Sequence, residues 1–355
     1  MVMFYNNVEN YYLCHINRIK MDLQDIIKTL THSEKAELVL LLNKDLKAPT
    51  TDLFRSSLNT DQKTLCPHCK SNDIYGHGVY KGRKRFKCKD CKKTFNDYTG
   101  TAISGIKKTE EFNKYISLVV ESVTIRKASS IIGVNMKTVF DWRHKLLSSM
   151  SSMNGQAFSG IVECDDKQLD INNKGDRKLN RKPYKRPSDR ETKRGVSNDK
   201  ISIMVATDRK GNPTMQIAKV GRIDAGCVEK TIGGYISTDN ILCSDSNPSI
   251  IAWAKEKKLE HHTFIASKHV KDKCYHVQHV NSIDSFYERW IRRFNGVATK
   301  YLNQYLNWFI FLEKVKKSST QTLDLVKNAI TNASTIKTYR SIRDKYNILI
   351  IPQCS

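Results

Sequence analysis

The alternation of apolar and polar positions divides the chain into stretches of different period. Residues 1–20 have no clear period, and Met21, where the pattern sharpens, is an alternative start. From Leu23 onward, Ile26, Ile27 and Leu30, then Ala36, Leu38, Leu40 and Leu41, predict two short helices with Thr31 or Ser33 as a cap between them. The run from Tyr75 to Phe86, broken by Gly76, Gly78 and Gly82, predicts short strands and tight turns. Residues 110–148 read as helices. Within them, 124–147 has helix-turn-helix form: Ala128 and Ile132 point inward, Gly133 makes the turn, and Val139, Trp142 and Leu146 repeat at helical spacing.

After a polar linker over 148–155, Ile161–Asp166 is a short apolar run ending in acids, which predicts a strand with carboxylates at its end. Residues 201–207 and 214–220 predict two strands joined by a turn at 208–213. A helix over 225–236, a second acid-ended strand at Ile241–Asp245 and a helix over 249–257 follow. Strands in hairpin order that then alternate with helices indicate a mixed sheet. A helix beginning at Asn281 buries Ile283, Phe286, Tyr287, Trp290, Ile291 and Phe294, which leaves Asn281, Asp284, Ser285 and Glu288 on its other face. Beyond Lys317, Leu323, Leu325, Val326 and Ile330 have helical spacing and no evident chemistry.

Composition gives these elements a partner. The formal charge is +24, from 60 Lys and Arg against 36 Asp and Glu, more than solubility requires, and it points to nucleic acid. No apolar run approaches the ~18 residues of a spanning helix, so a cytoplasmic, nucleoid-associated protein without a membrane partner is expected. Of ten cysteines, four form two close pairs, Cys66/Cys69 and Cys88/Cys91, separated by eighteen residues. Four thiolates at that spacing can close tetrahedrally around one structural Zn²⁺ with a β-hairpin between them, although a redox CxxC pair has the same local pattern.

Basic residues cluster on three elements. Lys81, Arg83, Lys84, Arg85 and Lys87 cover the ribbon. Asn135, Lys137, Thr138, Asp141, Arg143 and Lys145 are the expected groove-facing residues of the second helix of the helix-turn-helix. The segment 172–200 holds eleven Lys or Arg against four Asp or Glu, with Pro183 and Pro187, and predicts a basic loop in which Arg181, Lys182, Lys185 and Arg186 clamp a DNA backbone.

Two strand-end aspartates about eighty residues apart, with an oxygen-bearing side chain on a later helix, have the layout of an RNase H-like nucleotidyl-transfer site. Two metal ions in such a site assist an in-line displacement at phosphorus. The isolated His261, His262, His269, His276 and His279 are not expected to serve as bases, since that chemistry needs none; His276 and His279, close before Asn281, are the ones most open to a role.

The sequence resembles the zinc-ribbon insertion-sequence transposases of the ISXO2-like family from about Leu65 to Trp308. The matching motifs are the ribbon end 93–101, the helix at 142–145, Val162–Asp166, Leu242–Asp245, Val280–Ser282 and, most specifically, 292–301. The resemblance implies an RNase H-like domain that depends on Mg²⁺ or Mn²⁺, with Asp165 and Asp245 as metal-binding carboxylates. Asn281 then stands where other DDE enzymes have Glu. Three positions depart from the family: Asp166 stands for a usual Glu, Ser246 for a usual Gly, and Glu288 for a usual Lys. The last puts an anion where a phosphate-holding cation is expected; Glu288 is then a third ligand, with Arg289 or Arg292 supplying the missing cation, and Arg293 a further expected DNA contact.

The expected architecture is multidomain α+β. It comprises a helical lead-in (1–60), a zinc ribbon (61–102), a helix-turn-helix (108–150), an RNase H-like α/β domain with a basic insertion (157–315) and a helical tail (316–355). The expected function is strand cleavage and transfer at element ends, bound as double-stranded DNA by a homo-oligomer during synapsis. A catalytically impaired DNA-binding repressor and a structure-specific nuclease of the same fold are the alternatives.

Overall fold

The computed structural model describes residues 31, 34, 65–80, 83–175, 200–265, 270–272, 274–318 and 321–331. The helical lead-in therefore falls largely outside the described residues. Its cap is visible: Thr31 Oγ1 accepts the Glu34 amide at 3.3 Å, and Glu34 returns a carboxylate to the Thr31 amide at 2.8 Å. This is a capping box. The body of the basic loop, with Arg181, Lys182, Lys185 and Arg186, also lies outside the described residues, as do His269 and the chain beyond 331.

β1 (Ile74–Tyr80), β2 (Arg83–Cys88) and β3 (Thr94–Phe95) form an antiparallel sheet in the order β1-β2-β3. Its core is small, with Phe86 stacked on Phe95 at 5.7 Å beside buried Cys66 and Cys88. So few apolar contacts do not hold forty residues, and a cross-link through the cysteines is the natural supplement.

Three helices follow. α1 (Thr109–Val120) buries Phe112, Tyr115, Ile116 and Val119, one face at helical spacing. α2 (Ile125–Ile132) starts at Thr124, whose Oγ1 accepts the Lys127 amide at 3.4 Å. It ends at Gly133, where φ of 67° permits the turn. α3 (Met136–Ser149) starts at Asn135, which accepts the Lys137 amide at 2.9 Å. Two helices joined by a turn at Gly133 thus form where the pattern predicts them.

A five-stranded mixed sheet has the order β6-β5-β4-β7-β8, built from β4 (Ile161–Asp170), β5 (Lys200–Asp208), β6 (Pro213–Val220), β7 (Ile241–Asp245) and β8 (Glu260–Phe264). β4, β5 and β6 are antiparallel; β4, β7 and β8 are parallel. α4 (Ala225–Ile232) and α5 (Pro248–Glu256) share a core with Val162, Cys164, Met204, Ala206 and Leu242 on one face. A short ribbon, β9 (Val270–Lys271) with β10 (Tyr275–His276), leads into α6 (Gln278–Arg292) and α7 (Leu302–Val315). These cover the opposite face, and α8 (Gln321–Thr331) packs on α1 and α3. Buried residues of α1, α3, α6, α7 and α8 form one continuous core, with Trp142, Tyr115, Trp290 and Trp308 among its largest members.

That shared core corrects two expectations for α3. Arg143 is fully buried, donating Nε to Tyr115 Oη at 3.0 Å and lying 4.9 Å over the Trp308 ring. Lys145 is buried too, with Nζ donating to the Ser104 carbonyl. Because α3 is enclosed along its second half, neither side chain is presented to a DNA groove. Asn135 and Lys137 remain exposed and Thr138 half-buried at the free start of the helix.

Candidate active site

The register of β4 against its neighbours builds the site. β4 pairs with β7 only from Ile161 to Cys164, opposite Ile241 to Ser244, and β7 stops at Asp245. β4 continues to Asp170 on β5 alone. Asp165 and Asp166 are therefore mid-strand and not at a strand end, and they stand where the parallel pairing runs out. Asp245 ends the adjacent strand one register step away. Crevices at the carboxyl ends of parallel strands are where open α/β sheets place ligands.

Asp165, Asp166 and Asp245 each offer a carboxylate oxygen, all within 4.8 Å of one another. They line a cleft of about 750 Å³ that Asn281 and Arg222 also line. The spacing along 245–281 thus brings Asn281 to the same cleft as the two aspartates. Burial pushes the Asp165 carboxyl up to about 7, helped by the negative charges of Asp245 and Asp284. Asp166 is also raised by burial, against which the Asn247 amide donates to Asp166 at 2.5 Å. Asp245 is raised by burial. Such a set of hard oxygen donors, crowded and underneutralised, fits a divalent cation, whose charge reverses each of these shifts.

Asp284, which the sequence places on the same polar helix face as Asn281 but gives no role, also belongs near the site. It lies one turn after Asn281 on α6; burial pushes its carboxyl up to about 6, and its Oδ1 is buried with no hydrogen-bond partner among the described residues. Its spacing from Asn281 was the available signal.

Glu288, by contrast, is occupied. Its carboxylate accepts Lys167 Nζ at 2.8 Å and pairs with Arg292 at 3.5 Å. It is not a member of the carboxylate cluster, which corrects its expected place as a third ligand. Lys167 is two residues along β4 from Asp165, so the cation at this end of the site comes from the strand, with the helix supplying its counterion. Arg292 is spent on Glu288 and Arg289 lies 4.9 Å over Phe286. Arg293 is exposed, with Nε on the Trp290 carbonyl at 3.1 Å.

The first turn of α6 is fixed to β4 by Glu163, which is buried. One carboxylate oxygen accepts the amides of His279 at 2.8 Å and Val280 at 3.1 Å, and the other meets Arg209 Nη1 at 2.6 Å and His279 Nδ1 at 2.7 Å. Arg209 also reaches His276 Nε2 at 2.9 Å. Glu163, His276 and His279 have metal-ligand spacing, but a guanidinium already sits among them. His261 is tied to Ser244 Oγ at 2.8 Å and His262 stacks on Tyr275 at 4.1 Å, so both support β8. Cys164 is a small core residue whose thiol burial keeps protonated.

In the ribbon, Cys66 and Cys91 Sγ atoms lie 3.6 Å apart, as do those of Cys69 and Cys88, and all four are mutually within 4.8 Å. Four sulfurs at about 2.3 Å from one zinc are roughly 3.8 Å apart, so the cluster has the dimensions of a closed tetrahedral site.

Residues 157–314 match the ISXO2-like transposase domain. Over 146 residues the chain is 27% identical to an uncharacterized protein in transposable element ISH50 of Halobacterium salinarum, covering 41% of this chain and 49% of that protein. The match thus spans about half the length of the relative. Among solved structures, a pre-cleavage Mos1 transpososome shows 11% identity over 84% of this chain and 98% of that chain with a TM-score of 0.17, a likeness too slight to bear on the fold. No helix among the described residues is long and apolar enough to cross a membrane.

Proposed function

From a chain that carries an ISXO2-like transposase domain over residues 157–314, we propose an insertion-sequence transposase that binds the terminal inverted repeats of its element and cleaves and joins DNA strands at Asp165, Asp245 and Asn281. The observation that supports this reading most is the convergence of those three residues on one cleft, two of them in a carboxylate cluster of metal-binding size. The strand order, three antiparallel strands followed by two parallel ones with helices on both faces, is consistent with an RNase H-like domain.

Asp165 and Asp245 would hold Mg²⁺ or Mn²⁺, with Asn281 as a neutral oxygen donor beside them. Bound there, the ions supply Lewis-acid polarisation of the scissile phosphodiester and of the attacking hydroxyl. The chain's own part is positional. β4 and β7 hold the carboxylates at fixed register, Glu163 seats the start of α6, and the Lys167–Glu288 pair ties the middle of α6 to β4. Asp284 sits beside Asp165 and adds negative charge that favours cation occupancy. Asn135, Lys137 and Thr138 at the start of α3 read DNA, and the ribbon and the basic segment 172–200 supply cations to its backbone. Synapsis of two ends calls for a homo-oligomer.

The experiment is incubation of purified, zinc-loaded protein with a labelled element-end duplex, with and without Mg²⁺. Nicking at the end followed by joining to a second duplex supports the reading. End-specific binding without either reaction favours a repressor, and cleavage of branched DNA without joining favours a nuclease.

A further inference from the structure

The cleft that holds Asp165, Asp166 and Asp245 has one cation among its described lining residues, Arg222. Other cations close to the carboxylates are committed, Lys167 and Arg292 to Glu288 and Arg209 to Glu163. Arg222 is exposed, and its guanidinium makes no hydrogen bond or ion pair among the described residues. Asp166, the acid on which its charge acts, takes the Asn247 amide instead.

The backbone fixes Arg222 from both sides. Gly221, at φ of 83°, donates its amide to the Lys200 carbonyl at 2.8 Å, and its own carbonyl accepts Ser202 Oγ at 2.6 Å. Ile223 is buried in the core under α4 and α5, and its carbonyl accepts Ser249 Oγ at 2.9 Å, from the first turn of the helix that follows Asp245. A side chain carried between two anchored neighbours enters the cleft from a set point, which reduces the ordering cost of a contact made there.

The alternation of β4 decides which side of the cleft this is. Glu163 and Lys167 meet α6, and Asp165 shares their face; Cys164 lies in the core under α4 and α5, and Asp166 shares its face. Arg222, in the turn that leads into α4, stands on the Asp166 side: burial raises the Asp166 carboxyl, and the Arg222 charge draws it back. A phosphate held by Arg222 is therefore a neighbour of one lying over Asp165 and Asp245. The planar fork of a guanidinium suits the paired non-bridging oxygens of such a phosphate.

We propose that Arg222 is a substrate-binding residue of the active site, holding the strand phosphate that flanks the reacting one. The identity of the strand as DNA rests on the transposase reading; the presentation of a free guanidinium to the cleft does not.

The test uses full-length, zinc-loaded protein and an element-end duplex, with Ca²⁺ in place of Mg²⁺. Phosphates around the end are replaced one at a time by neutral methylphosphonates, and affinity is measured for wild type, Arg222→Ala and Arg222→Lys. The side chain is exposed, so the variants retain the fold. The expected result is one position at which the replacement weakens wild type about tenfold. There Arg222→Ala, weaker by a similar factor on the unmodified duplex, loses nothing further, and Arg222→Lys recovers part of the loss. Arg222→Ala that binds the unmodified duplex as tightly as wild type overturns the assignment. So does a variant that pays the methylphosphonate penalty at every position where wild type pays it, which is the result for an arginine that only balances Asp166. Strand transfer in Mg²⁺ is read separately: wild type that shows the position-specific dependence and never transfers sinks the transposase reading, while Arg222 stands as a phosphate contact.

Discussion

Glu163 accepts the backbone amide of His279 at 2.8 Å, which ties the strand carrying Asp165 to the first turn of the helix carrying Asn281. The same carboxylate balances Arg209, so removing it frees the helix start and strands a cation. Glu163→Ala is expected to cost on the order of 3 kcal/mol of stability. Glu163→Gln keeps an acceptor for the amides but still leaves Arg209 without its counterion, so it is expected to lose stability, though less than Glu163→Ala. If the carboxylate only stabilises the fold, Glu163→Gln retains full activity; if it seats Asn281, kcat falls while KM for DNA stays. Denaturation curves and single-turnover cleavage separate the two.

Asp165 predicts a stability effect of defined sign. Its folded-state carboxyl is raised from 3.8 to about 7 by burial and by neighbouring carboxylates. A raised carboxyl costs nothing at low pH, where it is protonated in both states; the penalty grows as pH rises from the unfolded value of 3.8 and is complete above the folded value of about 7. Asp165→Asn should therefore melt higher than wild type at pH 8 without added Mg²⁺, by about 2 °C or more, and the gap should vanish near pH 4. Added Mg²⁺ should raise the melting temperature of wild type and not of the variant. A wild type that melts higher than the variant at pH 8 without Mg²⁺ contradicts the crowding described here.

The ends of α3 are predicted to behave differently. Lys137→Ala should weaken binding to element-end DNA while leaving the melting temperature unchanged, since the side chain is exposed. Lys145→Ala should lower the melting temperature, because it leaves the Ser104 carbonyl without its donor. Gel-shift titration and melting curves on the two variants check this; an intact fold with lost DNA binding in Lys145→Ala would contradict the buried placement.

The ribbon should hold one zinc per chain. Cys66→Ser is expected to lose it and to open residues 65–102 to protease, since the core around Phe86 and Phe95 is small. Metal analysis and limited proteolysis read both effects.

Much of this organisation was legible in the residues. Short apolar runs bounded by turn residues place β5, β6 and β7 almost to the residue, and Cys spacing places the ribbon cluster, because each depends on local pattern alone. The pairing of Asp165 with Asp245 was legible through their order, and the Asn281 side of the cleft through spacing along α6. What the sequence hid depends on tertiary partners. Arg143 and Lys145 look like groove-facing cations on an isolated helix; packing against Tyr115, Val123 and Trp308, and against the turn at Ser104, buries them. Glu288 looks like a spare ligand until Lys167 is brought across from β4. The strand-end placement of Asp165 failed because β4 outlasts β7, a matter of register that no single strand encodes.

The central claim is that Asp165 and Asp245 perform metal-dependent strand chemistry on DNA. Its most direct measurement is strand transfer from a pre-nicked, labelled element end in Mg²⁺, comparing wild type with Asp165→Asn and Asp245→Asn at equal zinc content and equal DNA binding. The account predicts transfer by wild type and a loss of more than roughly 100-fold in each variant. Variants that transfer at the wild-type rate would contradict it.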